Sequence, residues 1–142
     1  MDVSKLDNAR LDAPAKIPFN GSPNPTIGVE IELQILDPQS YNLKQGSVDI
    51  LDRLAGVDGA LDHVKQELTQ STIEGITGVC TNVDEAMADL AHSIRQVYDL
   101  SDELGFALAS AGTHPFGQWR DQKIFPNDRY QSLVDRIQWP AR

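Results

Sequence analysis

With 142 residues, 40% of them hydrophobic and 23% charged, the chain has the size and balance of one soluble globular domain. A formal net charge of −9 and a pI of about 4.6 argue against non-specific binding to nucleic acid or to an anionic membrane surface, but not against a nucleotide brought in with Mg²⁺. The single cysteine, Cys80, excludes an internal disulfide and fits a reducing, cytoplasmic setting, and no apolar run approaches the ~18 residues of a membrane span.

Residues 1–25 are polar and carry Pro14, Pro18, Pro23 and Pro25. They read as a flexible lead-in, without the apolar stretch of a secretory signal. The organising stretch follows at residues 26–37, TIGVEIELQILD. Ile27, Val29, Ile31, Leu33 and Ile35 alternate strictly with Gly28, Glu30, Glu32 and Gln34, which predicts a strand with one aliphatic face. Glu30 and Glu32 then lie about 6.5–7 Å apart on the other face, where a divalent cation would relieve their repulsion. An ordinary half-exposed strand with an acidic outer face accounts for the same pattern.

Asp37-Pro38 ends that strand. Ser47 reads as the N-cap of a short amphipathic helix with Val48, Ile50, Leu51 and Leu54, ending at Gly56. Residues 61–68 alternate again, with His63, Lys65 and Glu67 on one face. A bend at 69–71 leads to a third strand over residues 73–80, in which Glu74 sits near the start and Gly75 and Gly78 mark close backbone approach. Asn82 and Glu85 have capping-box spacing, and an apolar stripe from Val83 to Leu104 predicts a long helix closed by Gly105. His92 falls on its polar side. Residues 106–112, FALASAG, form a small-residue strand that exits through Thr113-His114-Pro115-Phe116, and Asn127 or Asp128 caps a last helix before Trp139-Pro140.

This order predicts an α+β fold, an antiparallel sheet with helices packed on one face. Glu30, Glu32, Glu67 and Glu74 would line the free face. Cys80 reads as a small buried hydrophobe and Trp119 as a packing anchor. Arg120 and Arg129 are either surface charges or bidentate partners of a substrate carboxylate.

The segments TIGVEIELQILDP, VKQELTQSTIEGITGVC, ASAGTHPFGQW and NDRYQSLV, in this order and spacing, resemble the ATP-dependent carboxylate–amine ligases of the glutamate–cysteine ligase type 2 family. The resemblance covers residues 26–142 and implies a glutamine synthetase/glutamate–cysteine ligase-like fold. It also implies that the chain is the N-terminal part of a catalytic domain two to three times longer, lacking a later H-V-H-V strand and the basic groups that hold phosphates. The implied reaction joins a carboxylate, that of the glutamate side chain, to an amine, cysteine or another, through an acyl phosphate. ATP and Mg²⁺ are the implied cofactors. Glu30, Glu32 and Glu67 match the metal-binding positions, and Glu74 and Arg129 would contact cofactor or substrate. His114 would touch substrate or phosphate, or else be a turn histidine held by backbone. Activity of this part alone would be weak or absent. The other reading is a non-catalytic module that binds a metal or a partner, and an open sheet edge would favour a homo-oligomer.

Overall fold

The computed structural model describes residue 21 and residues 23–137. Most of the lead-in, together with Trp139 and Pro140, lies outside the described residues. The elements in chain order are β1 (Glu30–Leu36), α1 (Ser47–Leu54), α2 (Ala60–His63), β2 (Val64–Gln66), β3 (Thr72–Ile76), α3 (Val83–Glu103), β4 (Ala107–Ala109) and α4 (Asp128–Ile137), with a 3₁₀ turn at Trp119–Asp121. The class is the expected α+β.

The four strands make one antiparallel sheet in the order β2-β3-β1-β4. Cross-strand partners share a face, so the register sorts the side chains. Leu33 faces Ile73, Ile35 faces Leu108, and Ile31 and Val64 both face Gly75. These lie on the packed side. Leu33, Ile35, Ile50, Leu54, Ala60, Val64, Ile73 and Val97 are buried together there, which joins β1–β3 to α1, α2 and α3. A Cβ at Gly75 would meet Ile31, Leu90 and Ile94 at 3.5–3.9 Å, ordinary packing distances, so no close backbone approach requires the expected glycine there.

The long helix α3 is fixed at both ends by side-chain and turn chemistry. The Asn82 side chain accepts the Glu85 N–H at 2.9 Å, while the Glu85 carboxylate reaches back to the N–H of Thr81, one residue before the cap, at 2.7 Å. At the other end Phe106 N–H donates to Ser101 O and Gly105 N–H to Asp102 O, the paired bonds of a Schellman motif. Gly105 takes φ 72°, as that motif requires. Gly105→Ala is therefore expected to cost about 1–2 kcal/mol, read as a lower urea midpoint.

Several expected boundaries shift. Thr77 N–H still donates to Val29 O, but Val29 N–H turns to Thr77 Oγ1, and beyond that the pairing is the isolated Ile27–Cys80 bridge. The regular parts of the first and third strands are shorter for that reason. Ser47 is not the N-cap of α1. Gly46 takes that place, and Ser47 is fully buried, its hydroxyl without a hydrogen-bond partner among the described residues. The strand expected over 61–68 survives only as β2, because Gly59 at φ 71° starts the helical turn α2 instead. His63 thus leaves the strand face, and its Nδ1 lies 3.5 Å from Asp89 of α3. Trp119 is 45% exposed beneath the Arg120 guanidinium, a surface stack and not a packing anchor.

Candidate functional site

The face of the sheet opposite the helices is acidic. In β1, Glu30 and Glu32 point away from the core because the intervening Ile31 and the following Leu33 point into it. Glu32 stands directly across from Glu74 of β3, and Lys65 of β2 stands on Glu74's other side. The Lys65 ammonium turns away and donates to the Leu61 carbonyl. Among the described residues, no Lys, Arg or His forms an ion pair with Glu30, Glu32, Glu67 or Glu74.

Glu30, Ile31, Glu32 and Glu74 line a cleft of about 460 Å³ whose opposite wall is Ser110–Gly112, the chain leaving β4. Gln34 binds that wall by donating its amide to Ala111 O at 3.1 Å. Partial burial of Glu74, followed by the charges of Glu67, Glu30 and Glu32, holds its carboxyl above the ordinary range. The charges of the other three carboxylates thus all reach Glu74. Every donor is a carboxylate oxygen, the ligand type that Mg²⁺ or Mn²⁺ prefers, so the donor set fits a hard divalent cation. Among the described residues, no three His, Cys, Asp or Glu side chains already converge tightly enough to grip a metal ion unaided.

The raised Glu74 pKa has a consequence for stability. A carboxyl with a folded pKa above its unfolded value favours the fold below the unfolded pKa, and that contribution is lost as pH rises through the folded value. Glu74→Gln should therefore melt higher than the parent at about pH 7, with the gain vanishing below about pH 4, where the parent carboxyl is protonated in both states. Thermal melts across that range read the difference. An equal shift at both ends would mean that the ionised Glu74 carboxylate is not the cause.

Glu67 lies just past β2 and is half-buried; its own carboxylate accepts the Leu68 N–H at 3.1 Å. Arg129 is exposed in the first turn of α4, where Asn127 Oδ1 caps its N–H at 2.9 Å. His114 is engaged by backbone on both sides. Its Nδ1 accepts the Gly117 N–H at 2.8 Å, so Nε2 carries the proton and donates to Tyr41 O at 2.9 Å. That is the turn-holding arrangement, tying the exit from β4 to the loop after β1. His92 is exposed and Cys80 buried, as the helical and apolar patterns imply. Tyr130, which sequence reasoning passed over, donates its hydroxyl to Gln66 O at 3.0 Å, next to Glu67. Nothing local signals that contact, since the partners are 64 residues apart.

An antiparallel sheet that packs helices on one face and gathers carboxylates in a cleft on the other defines an α+β protein with an acidic sheet face. The particular family follows from comparison: residues 26–142 match glutamate–cysteine ligase family 2 (GCS2), and the chain belongs to that family. It is 43% identical over 128 residues to the Thermobifida fusca protein named "Putative glutamate–cysteine ligase 2", covering 89% of this chain and 32% of that protein. A similarly named relative from Frankia alni is 42% identical over 129 residues, covering 89% of this chain and 34% of that protein. One from Mycobacterium sp. strain KMS is 38% identical over 132 residues, covering 93% and 34%. The chain thus spans about a third of the length of the curated relatives it matches. No helix among the described residues is long and apolar enough to cross a membrane.

Proposed function

We propose that this chain carries the metal-binding carboxylates of an ATP- and Mg²⁺-dependent carboxylate–amine ligase with a glutamine synthetase/glutamate–cysteine ligase-like fold, working in the cytoplasm. The observation that carries the reading is the cross-strand gathering of Glu30, Glu32 and Glu74 in one cleft, with Glu67 acting on Glu74 and, among the described residues, no cationic side chain paired to any of them. Membership of the family supports it.

In the proposed reaction an oxygen of the glutamate side-chain carboxylate attacks the γ-phosphorus of ATP. ADP leaves, and an acyl phosphate forms. The amine of cysteine, or of another amino compound, then attacks the acyl carbon. Phosphate leaves, the nitrogen loses a proton, and an amide remains. Glu30, Glu32 and Glu67 would hold Mg²⁺, which when bound neutralises charge on phosphate oxygens. Glu74, with its raised pKa, sits where it can accept a hydrogen bond from the amine or complete the metal's ligands. Arg129 supplies a guanidinium for an anionic group of ATP or substrate. His114 serves by holding the β4 exit that walls the cleft. A direct contact from it to substrate would require giving up the Tyr41 bond.

Titration calorimetry with Mn²⁺ on the 142-residue chain tests the reading. Heat of binding is expected from the parent and not from Glu30→Gln/Glu32→Gln; identical heats would sink it. A non-catalytic module that binds the metal or a partner without turnover is the second reading, favoured by a cleft lining that, among the described residues, includes no basic side chain to meet phosphate. Metal binding without release of ADP from ATP, glutamate and cysteine would select it.

A further inference from the structure

The chain around Glu67 is held on both sides by a single distant stretch. Gln66 O accepts the Tyr130 hydroxyl at 3.0 Å, and Leu68 O accepts the Phe125 N–H at 2.9 Å. The contact continues along the strand exit: Thr69 bridges to Ile124, Gln70 N–H donates to Lys123 O at 2.8 Å, and the Gln70 side chain donates to Ile124 O at 2.9 Å. Glu67 is therefore the residue between two anchored carbonyls. β2 itself is only three residues long and lies at the sheet edge, so its ladder ends at Gln66 and does not fix residue 67.

We propose that residues 123–130 form a positioning clamp for Glu67, and that Tyr130 is its decisive side chain. The inference rests on the metal reading above. It adds that Tyr130 touches no ligand and acts through the backbone of Gln66. A carboxylate on an unsupported strand end samples many positions, and ordering it on binding costs entropy. A backbone fixed on both sides removes much of that cost, which is how groups outside the ligand shell raise metal affinity. Partial burial of the Tyr130 hydroxyl, then the nearby Glu67 charge, disfavours its ionised form, so it stays a donor to the carbonyl.

The test compares Mn²⁺ affinity and melting temperature for the full chain, Tyr130→Phe and Gly105→Ala. Gly105→Ala strains the left-handed end of α3, outside the clamp, and serves as the structural control. Tyr130→Phe is expected to weaken Mn²⁺ binding about tenfold. Gly105→Ala should lower the melting temperature and leave the affinity unchanged. Amide exchange at Leu68 and Phe125, followed without metal, should quicken in Tyr130→Phe. Unchanged affinity in Tyr130→Phe would overturn the clamp and leave the metal reading standing. Equal weakening in both variants would also overturn it, by showing general loosening. No Mn²⁺ binding by the parent would overturn the metal reading and the clamp with it.

Discussion

In a polypeptide of the family's full length, Glu30→Gln is expected to lower kcat by about a thousandfold, the scale seen when one charge-stabilising group is removed from a reacting centre. Glu30 is exposed at the start of β1, and its partner across the sheet is Ile76, so Gln fits the same space without disturbing the core. The change removes one charge and keeps the shape. An effect of that size can only come from the transition state, where charge develops on transferring phosphate oxygens. Release of ADP at saturating Mg²⁺, with the melting temperature as a control for folding, reads it. His114→Ala should cost less, about tenfold to a hundredfold, because it disturbs the position of a cleft wall and removes no charge. Full activity in Glu30→Gln would refute the metal assignment, and a larger loss in His114→Ala would move the chemistry to the histidine.

Ile35→Ala should destabilise the described domain by about 2–5 kcal/mol, a large share of the 5–15 kcal/mol that holds a typical domain folded. Ile35 is fully buried near the C-terminal end of β1, opposite Leu108. Its Cγ2 comes within 3.0 Å of where a Cβ on Gly46 would stand, and Phe106 closes the same spot. Its own N–H and C=O are bonded to Ser71 and Lys44. Removing three carbons there leaves a cavity that neighbours tied by backbone bonds cannot refill. Urea unfolding measures the loss, with Val79→Ala as the contrasting case. Val79 is 83% exposed, and its truncation should leave the midpoint unchanged.

What the chain made legible was what local chemistry decides. The stripe from Val83 to Leu104, the Asn82–Glu85 pair and Gly105 all act within a few residues, and α3 lies where they place it. The same holds for the two faces of β1. The segment around His63 was misread because its alternation is real but only β2 uses it; the left-handed Gly59 and the reach of His63 to Asp89 and Ile76 O turn the rest into α2. At the site, the spacing of Glu30 and Glu32 showed a shared face at once. That Glu74 stands opposite Glu32 depends on a register between strands some forty residues apart, which no local pattern encodes. Ser47 was one residue off because Gly46 has no side chain to advertise a cap. Tyr130 carried no signal, since its hydroxyl answers to a carbonyl on β2.

The strand order has a consequence for how the molecule is assembled in time. β1 is central in the sheet, yet it leaves the ribosome before both of its neighbours, β3 and β4. The hairpin of β2 and β3 can close locally, within microseconds of its synthesis. β1 must wait for chain made later, and its pairing with β4 closes a loop of more than seventy residues. Until then Ile31, Leu33 and Ile35 present an unpaired aliphatic edge of the sort that other chains can capture. In pulse-labelled refolding, amides of β2, β3 and α3 should therefore gain protection before those of β1, and a chaperone that binds extended apolar segments should slow aggregation most when added before β1 is protected.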